Sequence, residues 1–306
     1  MRRTAIALLF GILALGSVRA GSPGSDPFQF AIVGDRTGEP QPHVYEQVWR
    51  EMAAEHPAFA VTVGDTIQGG NDSTAEQEWN AVLKVSAQYK GLAFYLTPGN
   101  HDIWSRASEE LFKKYAKRPV NYSFDFRNVH VTVLDNSRSE QFPPAALDFL
   151  ERDLKAHSTQ PVKFIVSHRP SWLIPVLFGN SGFPLHRLAK RYGVKYVIAG
   201  HLHEMLHFEL DGITYLSMPS AGGHLRASKK YWDGWFFGHT IVQVRGNDVR
   251  FRIQECKSPA GKGRVSTPAD WGVNGLRAKP AALRAKQTVS SNDVTAKNRG
   301  SRHRLR

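Results

Sequence analysis

Five short apolar runs along the chain each end in side chains that can bind metal ions or transfer protons. These side chains belong to Asp35, Asp65, Asn100-His101-Asp102, His168 and His201-Leu202-His203. A single Asp after a strand is usually a turn residue, and a single His usually has a structural role. Five such ends in succession favour another interpretation, because strand ends that share one edge of a sheet bring their side chains together.

This mixture of ligand types predicts a centre for two divalent cations. Carboxylate, imidazole and carboxamide donors suit borderline ions such as iron, manganese or zinc. A shared Asp can bridge two such ions about 3.5–4 Å apart. A structural zinc site would instead favour several closely spaced cysteines, and Cys256 is the only cysteine of the chain.

The residues between these motifs must form the elements that hold them. The patterns predict strands at 28–33, 58–63, 92–96, 163–166 and 196–199 and helices at 42–55, 75–88, 143–157 and 184–192. Alternation of strand and helix indicates βαβ units in a mostly parallel sheet. A hairpin around Arg127-Asn128, with strands at 122–126 and 129–134, makes that sheet mixed.

The pattern changes after residue 205. Short apolar runs at 206–210, 214–217, 240–245 and 249–253 are separated by Asp-Gly, Gly-Gly and Gly-Asn turns. Such spacing is typical of antiparallel strands joined by tight turns. We therefore predict that these four runs form a second, antiparallel sheet and that the fold class is α/β.

Two of the motifs, Gly99-Asn100-His101-Asp102 and Gly200-His201-Leu202-His203, resemble those of the calcineurin-like metallophosphoesterase superfamily. The resemblance covers roughly residues 28–255. It implies an α/β/β/α sandwich of two mixed sheets, with the metal site at the C-terminal ends of the strands. It also implies two divalent ions as cofactors and a phosphate ester as substrate, attacked in line by a metal-bound hydroxide.

The resemblance further implies a role for each motif residue. The metal ligands would be Asp35, Asp65, Asn100, His168, His201 and His203. Asp65 would bridge both ions, Asp35 and His203 would belong to one site, and the remaining three would complete the other. His101 would donate a proton to the leaving oxygen or stabilise the transition state, and Asp102 would orient His101.

One position departs from the family pattern. The first motif is usually Asp-x-His, with that His a metal ligand, but here it is Asp35-Arg36-Thr37. A neutral hydroxyl binds borderline metals weakly, so this site would use water, the Thr37 oxygen or another donor such as His43. The alternative for His43 is a surface residue at a helix N-terminus.

Several side chains near the motifs are candidates for contact with the substrate. The basic candidates are Arg36, Arg169 and His224. A guanidinium can hold a phosphate through two parallel hydrogen bonds, although an ordinary solvent-facing charge is the alternative. The loop 171–183, which contains Trp172 and Phe178, either covers the site or packs into the core.

The N-terminal residues are typical of an export signal. Met1-Arg2-Arg3 precedes an apolar run over 5–15, and small residues stand at Val18 and Ala20 before the expected cleavage point. An uncleaved anchor is the alternative, but the run is shorter than the roughly 20 residues that span a bilayer. We expect a signal peptide at 1–20, a leader at 21–27 and a phosphoesterase domain at 28–256, with no later membrane span.

The net charge of +13 is concentrated at the C-terminus. Residues 257–306 hold 12 of the 40 Lys and Arg residues, whereas the body of the chain is neutral. This segment has few aliphatic residues and no sustained period, so we predict a basic, disordered tail. Such a tail would contact polyanions or an anionic envelope.

These observations favour an exported, periplasmic or extracellular phosphohydrolase that cleaves a phosphomonoester or phosphodiester. The departure at Thr37 keeps a second interpretation open, in which the chain binds metal or a phosphate ligand but has impaired turnover. In a third interpretation, the chain is an adaptor that binds polyanions through its tail.

Overall fold

The computed structural model describes residues 26–257 and 263–271, within which twelve strands form two six-stranded sheets. The strands are β1 (Phe28–Val33), β2 (Phe59–Thr62), β3 (Ala93–Tyr95), β4 (Tyr122–Phe126), β5 (Val129–Val133), β6 (Val162–Val166), β7 (Tyr196–Ala199), β8 (Leu206–Leu210), β9 (Ile213–Ser217), β10 (Gly238–Arg245), β11 (Asp248–Glu255) and β12 (Val265–Ser266). The helices are α1 (Val44–Ala53), α2 (Ala75–Ser86), α3 (Arg106–Ala116), α4 (Pro144–Ala156), α5 (Leu173–Leu177) and α6 (Pro184–Arg191).

Each sheet combines parallel and antiparallel pairs. The first sheet has the order β12-β11-β10-β1-β2-β3, and β1, β2 and β3 run parallel. The second has the order β4-β5-β6-β7-β9-β8, in which β5, β6, β7 and β9 run parallel. The predicted mixed sheets are confirmed.

Apolar side chains fill the space between the sheets and cover their outer faces. Phe30, Phe59 and Phe164 lie between the sheets, where Phe30 stacks on Phe59 at 4.6 Å. Helix α1 places Trp49 and Met52 on the outer face of the first sheet. Helices α4 and α6 cover the outer face of the second. The predicted α/β/β/α sandwich is therefore confirmed.

The four runs predicted to form a sheet of their own are divided between the two sheets. Local turns join β8 to β9 and β10 to β11 as antiparallel pairs, as expected. However, β9 pairs with β7, and β10 pairs with β1 over Phe28 to Val33. A turn residue encodes only its own hairpin, so the local signal does not show which distant strand the hairpin joins.

The C-terminal prediction is wrong for residues 264–271. Strand β12 extends the first sheet, and Trp271 is 1% exposed against Tyr231 and Phe236. The ordered domain thus continues beyond residue 256. Residues 258–262 and 272–306, together with the predicted signal at 1–20 and most of the leader, lie outside the described residues. Among the described helices, none is long and apolar enough to cross a membrane.

Candidate metal centre

The motif residues occupy loops that follow strands of both sheets. Asp35, Asp65 and Asn100 follow β1, β2 and β3 of the first sheet, whereas His168 and His201 follow β6 and β7 of the second. We expected these strand ends to share one sheet. They instead meet where the two facing sheets end, and Asp35 Oδ1 accepts a hydrogen bond from the His201 backbone N–H across this junction, at 2.8 Å.

The glycines of the motifs allow this close approach. A Cβ atom on Gly99 would lie 2.3 Å from Asp65 Oδ1, and one on Gly200 would lie 2.6 Å from Asp35 Oδ2. Asp65, His201 and His203 themselves have positive φ angles of 54°, 69° and 61°. Residues other than glycine rarely adopt this conformation, and it is concentrated at functional sites.

Four potential metal-ligand atoms lie close together in what we call site A, which consists of Asp65, Asn100, His168 and His201. His168 Nε2 lies 2.9 Å from Asn100 Oδ1, 3.2 Å from Asp65 Oδ1 and 3.1 Å from His201 Nδ1. His168 Nδ1 lies 2.9 Å from the Val63 carbonyl oxygen. Donation to that carbonyl leaves the Nε2 lone pair facing three other acceptors, an arrangement that a cation stabilises.

Three more donor atoms form site B, which consists of Asp35, Asp65 and His203. Asp35 Oδ2, Asp65 Oδ2 and His203 Nε2 are buried and have no hydrogen-bond partner within the described residues. His203 Nδ1 lies 2.8 Å from the His224 carbonyl oxygen, which orients the ring. Buried acceptors without partners are costly, so a cation among them removes a penalty.

Within each site, the carboxylate and imidazole ligand atoms lie within 4.8 Å of one another, and both sites include Asp65. The structure thus places together all six residues that the motifs suggested as ligands. Carboxylate, imidazole and carboxamide donors fit two borderline divalent ions, one in site A and one in site B.

The pKa values of two buried histidines also indicate that a positive charge at the centre is favourable. Burial disfavours charge on His168, but the carboxylates of Asp65 and Asp35 outweigh this and raise its pKa to about 9. Burial, helped by nearby positive charge on His168 and Arg169, lowers the pKa of His201 to about 3. A proton on His168 therefore partly takes the place of a cation, while neutral His201 keeps one ring nitrogen with a lone pair.

Thr37 does not act as a free oxygen donor. Its buried hydroxyl donates a hydrogen bond to Gln68 Oε1, and the Gly38 backbone N–H donates to the same oxygen at 3.3 Å. His43 is exposed before α1 and belongs to neither group of metal-ligand atoms. Sequence reasoning missed Gln68, whose position three residues after Asp65 carries no recognisable signal by itself.

His101 lies beside the centre but is not oriented by Asp102. The His101 ring places Nδ1 2.6 Å from the Gln68 carbonyl oxygen. The buried Asp102 carboxylate accepts backbone hydrogen bonds from Thr66, Ile67 and Gly99, at 2.8, 3.1 and 2.9 Å. Our prediction for Asp102 is wrong, because adjacent side chains on this tight loop point in different directions. Asp102 instead joins the loops after β2 and β3.

The predicted substrate-contact residues have different surroundings. Arg169 Nη1 lies 3.3 Å from His201 Nε2, and Arg169 also pairs with Glu140. The ring of His224 packs against that of His203 at 5.9 Å. Arg36, in contrast, donates to the Thr66 carbonyl oxygen at 3.3 Å and lies over the Tyr45 ring.

Arg226 is a further basic residue at the centre, which the sequence reasoning missed. It is exposed, and its positive charge contributes to the lowered pKa values of His201 and His203. Its sequence context, in a loop without a recognised motif, gave no signal. Only the fold brings this loop next to the His201-Leu202-His203 motif.

The core-packing interpretation of loop 171–183 holds for Trp172, whereas coverage of the site by this loop stays a prediction. Trp172 is fully buried against Phe208 and Tyr215, so it belongs to the core. Phe178, at 78% exposure, lies on the surface after the short helix α5.

Comparisons with known proteins agree with this geometry. The family model for calcineurin-like phosphoesterases matches residues 28–205. No curated protein matches the chain. Among solved structures, a purple acid phosphatase from yellow lupin (Lupinus luteus) is similar with a TM-score of 0.59 and 14% identity. That match covers 80% of this chain but 55% of the lupin protein, so this chain spans about half the length of that relative.

Two other solved structures share the fold. A dimetal phosphatase from Danio rerio has a TM-score of 0.53 and 13% identity, over 79% of this chain and 99% of that one. GAP50, described as the anchor in the inner membrane complex of Plasmodium, has a TM-score of 0.54 and 16% identity, over 78% and 89%. The family match over more than half of the chain, together with this shared fold, shows that the chain belongs to the calcineurin-like phosphoesterase family.

Proposed function

We propose that the chain is an exported phosphohydrolase that uses two divalent ions to cleave a phosphomonoester or phosphodiester. The observation that carries the proposal is the pair of adjacent donor groups, site A and site B, that share Asp65. Family membership implies a dinuclear centre of this kind. The donor types suit iron, manganese or zinc.

When bound, the two ions would supply Lewis acidity, which activates water and polarises the phosphoryl oxygens. The chain itself supplies the remaining groups. The hydrogen bond from His101 Nδ1–H to the Gln68 carbonyl oxygen leaves Nε2 free, and when the ring is protonated at both nitrogens Nε2–H is the group that gives a proton to the leaving oxygen. Arg169 and Arg226 add positive charge beside His201, where they attract an anionic ester.

A second candidate is a binding protein with impaired turnover. The observation that favours it is the hydrogen bond of Thr37 to Gln68, which leaves site B with three protein ligands from the described residues. A weakly held ion in site B would reduce activation of the nucleophile without preventing anion binding. Turnover in the presence of added metal distinguishes the two candidates.

The direct test combines metal content with hydrolysis. Purified mature chain would be measured by elemental analysis and assayed with p-nitrophenyl phosphate and bis(p-nitrophenyl) phosphate, with and without Mn²⁺. We expect two ions per chain and turnover of at least one ester. Asp65→Asn should lose both, whereas Asp148→Asn, a change at an exposed carboxylate on α4, should lose neither. One ion or none per chain, with no turnover of either ester in the presence of Mn²⁺, would favour the binding protein.

Export and the role of the basic segment are parts of the proposal that rest on sequence. Residues 1–20 support cleavage after Ala20, so the chain recovered outside the cytoplasm should begin at Gly21. A full-length chain that stays in the cytoplasm would contradict export.

The basic residues of 272–306 support binding to polyanions, which should weaken as salt rises and persist after metal removal.

A further inference from the structure

A second cluster of imidazoles and carboxylates lies far from sites A and B. Asp125 of β4 and His130 of β5 face α4, which contributes Asp153 and ends at His157. His130 stands near the start of β5, whereas the metal centre follows the ends of the neighbouring parallel strands. We call these four residues the α4 cluster.

Asp153 orients both imidazoles of the α4 cluster. Its carboxylate lies 2.9 Å from His130 Nε2 and accepts hydrogen bonds from Ser123 and Thr132, both at 2.6 Å. Its backbone carbonyl oxygen lies 2.9 Å from His157 Nδ1. When each ring uses one nitrogen to donate to Asp153, His130 Nδ1 and His157 Nε2 are the nitrogens that can bind an ion in place of a proton.

Those two nitrogens approach the same carboxylate. His130 Nδ1 lies 2.7 Å from Asp125 Oδ1, and His157 Nε2 lies 3.8 Å from Asp125 Oδ2. One atom from each of the three residues falls within 4.8 Å of the others. Metal-binding histidines commonly donate their second nitrogen to a carboxylate or backbone carbonyl, as these two do.

Two residues of the α4 cluster are buried and fixed, whereas the other two are partly exposed and can change conformation. The side chain of His130 is fully buried and that of Asp153 is 6% exposed, while His157 and Asp125 are 33% and 39% exposed. The His130 and His157 rings stack at 4.1 Å, so His157 must turn to point Nε2 at an ion held by His130. Its half-buried position at the end of α4 permits that rotation.

We propose that the α4 cluster binds one borderline divalent cation, such as Zn²⁺, through Asp125, His130 and His157. Two imidazoles, one carboxylate and an open position toward solvent are a donor set that Zn²⁺ accepts. The ion joins the end of α4 to the β4–β5 hairpin and stabilises the outer face of the second sheet. In its absence, a proton on His130 satisfies the two carboxylates. This inference is independent of the proposed phosphohydrolase activity.

The test isolates the α4 cluster from the metal centre. A full-length chain with Asp65→Asn and His201→Asn would be loaded with Zn²⁺, freed of excess metal and measured by elemental analysis. We expect one ion per chain. Adding His157→Gln should remove it, whereas adding His56→Gln, a matched change at an exposed histidine, should not. His157 lies near the surface, so its replacement preserves the buried His130–Asp153 pair.

A second measurement checks that the ion is bound where proposed. Zn²⁺ should raise the Tm of the chain with Asp65→Asn and His201→Asn, and His157→Gln should abolish that rise. Retention of the ion by the His157→Gln chain would overturn the proposal. Absence of any bound ion before His157 is changed would also overturn it and would identify the cluster as a buried imidazolium with two carboxylates. Neither result bears on phosphoester hydrolysis.

Discussion

The carbonyl oxygen of Gln68 lies 2.6 Å from Nδ1 of His101, while the side chain of Gln68 accepts hydrogen bonds from the first motif. One residue therefore links the expected proton donor to the loop that carries Thr37. Since the backbone holds His101 and the side chain holds Thr37, the two functions of Gln68 can be separated by mutation.

Replacement of His101 should reduce turnover and leave the metal centre intact. His101→Ala removes the proton donor but none of the atoms of site A or site B. We expect kcat to fall by roughly 10²- to 10⁴-fold, the usual contribution of a general acid. Hydrolysis assays and elemental analysis would measure the two effects, with His43→Ala as the control at an exposed histidine. Unchanged kcat in His101→Ala would contradict the role.

Replacement of Gln68 should weaken the ion in site B. Gln68→Ala keeps the carbonyl oxygen that holds His101 but leaves the Thr37 hydroxyl and Gly38 N–H without their acceptor. Thr37 and Gly38 belong to the loop that begins at the site B ligand Asp35, so their loosening would misplace that ligand. Loss of such a supporting contact typically costs about 10- to 100-fold in metal affinity or activity. Activity titrated with Mn²⁺ should show a higher half-saturation concentration. The exposed Gln88→Ala should not shift it, and an unshifted Gln68→Ala curve would argue against support of site B.

Replacement of Asp102 should reduce stability as well as activity. Asn at this position can still accept hydrogen bonds from Thr66 and Ile67, but its amide group would face the Gly99 N–H. An unsatisfied buried donor costs about 1–3 kcal/mol, which urea unfolding would detect as a lower free energy of unfolding. If Asp102 instead acted only through His101, Asp102→Asn would lower kcat and leave that free energy unchanged.

Stability should fall in acid partly because of His239. This histidine of β10 is 1% exposed, and neither ring nitrogen has a partner within the described residues. Burial, with a smaller effect of Arg252, lowers its pKa from 6.5 to about 3. Between these values the unfolded chain binds a proton that the folded chain does not. The free energy of unfolding should therefore decrease as pH falls, by at most about 1.4 kcal/mol per pH unit from this group.

The pH effect can be measured by urea unfolding at pH 7.5 and pH 5 with chelator present, so that the metal ligands bind no ion. His239→Gln should show a smaller loss of stability between the two pH values than the unaltered chain. His56→Gln should leave the loss unchanged, because His56 is exposed. Equal losses in the unaltered and His239→Gln chains would contradict the assignment.

The ordered C-terminal segment predicts a boundary for truncation. A chain that ends at residue 271 should keep its stability and catalytic constants on small esters. A chain that ends at residue 256 should lose stability, because it exposes the surface that Trp271 covers on Tyr231 and Phe236. Trp271→Ala in the longer chain should cost about 3–5 kcal/mol, as for other buried tryptophans. Equal Tm values for the two truncated chains would contradict a structural role for this segment.

The sequence by itself determined the ligand types and the strands that carry them. Asp35, Asp65 and His168 each follow an apolar run long enough to be a strand, and local periodicity is sufficient to recognise such a run. Gly99 and Gly200 were also correctly recognised as parts of the metal-site motifs. A Cβ at either position would collide with a ligand carboxylate. These features depend on residues that are neighbours along the chain.

Only the tertiary structure decided which distant groups meet. Strand β10 joins β1 rather than a sheet of its own, and Trp271 completes the core far along the chain from Tyr231. Gln68, not Asp102, holds His101, and Arg226 reaches the metal centre from a loop without a motif. Contacts between residues distant in sequence arise from the packing of two sheets, and no local pattern of residues encodes that packing.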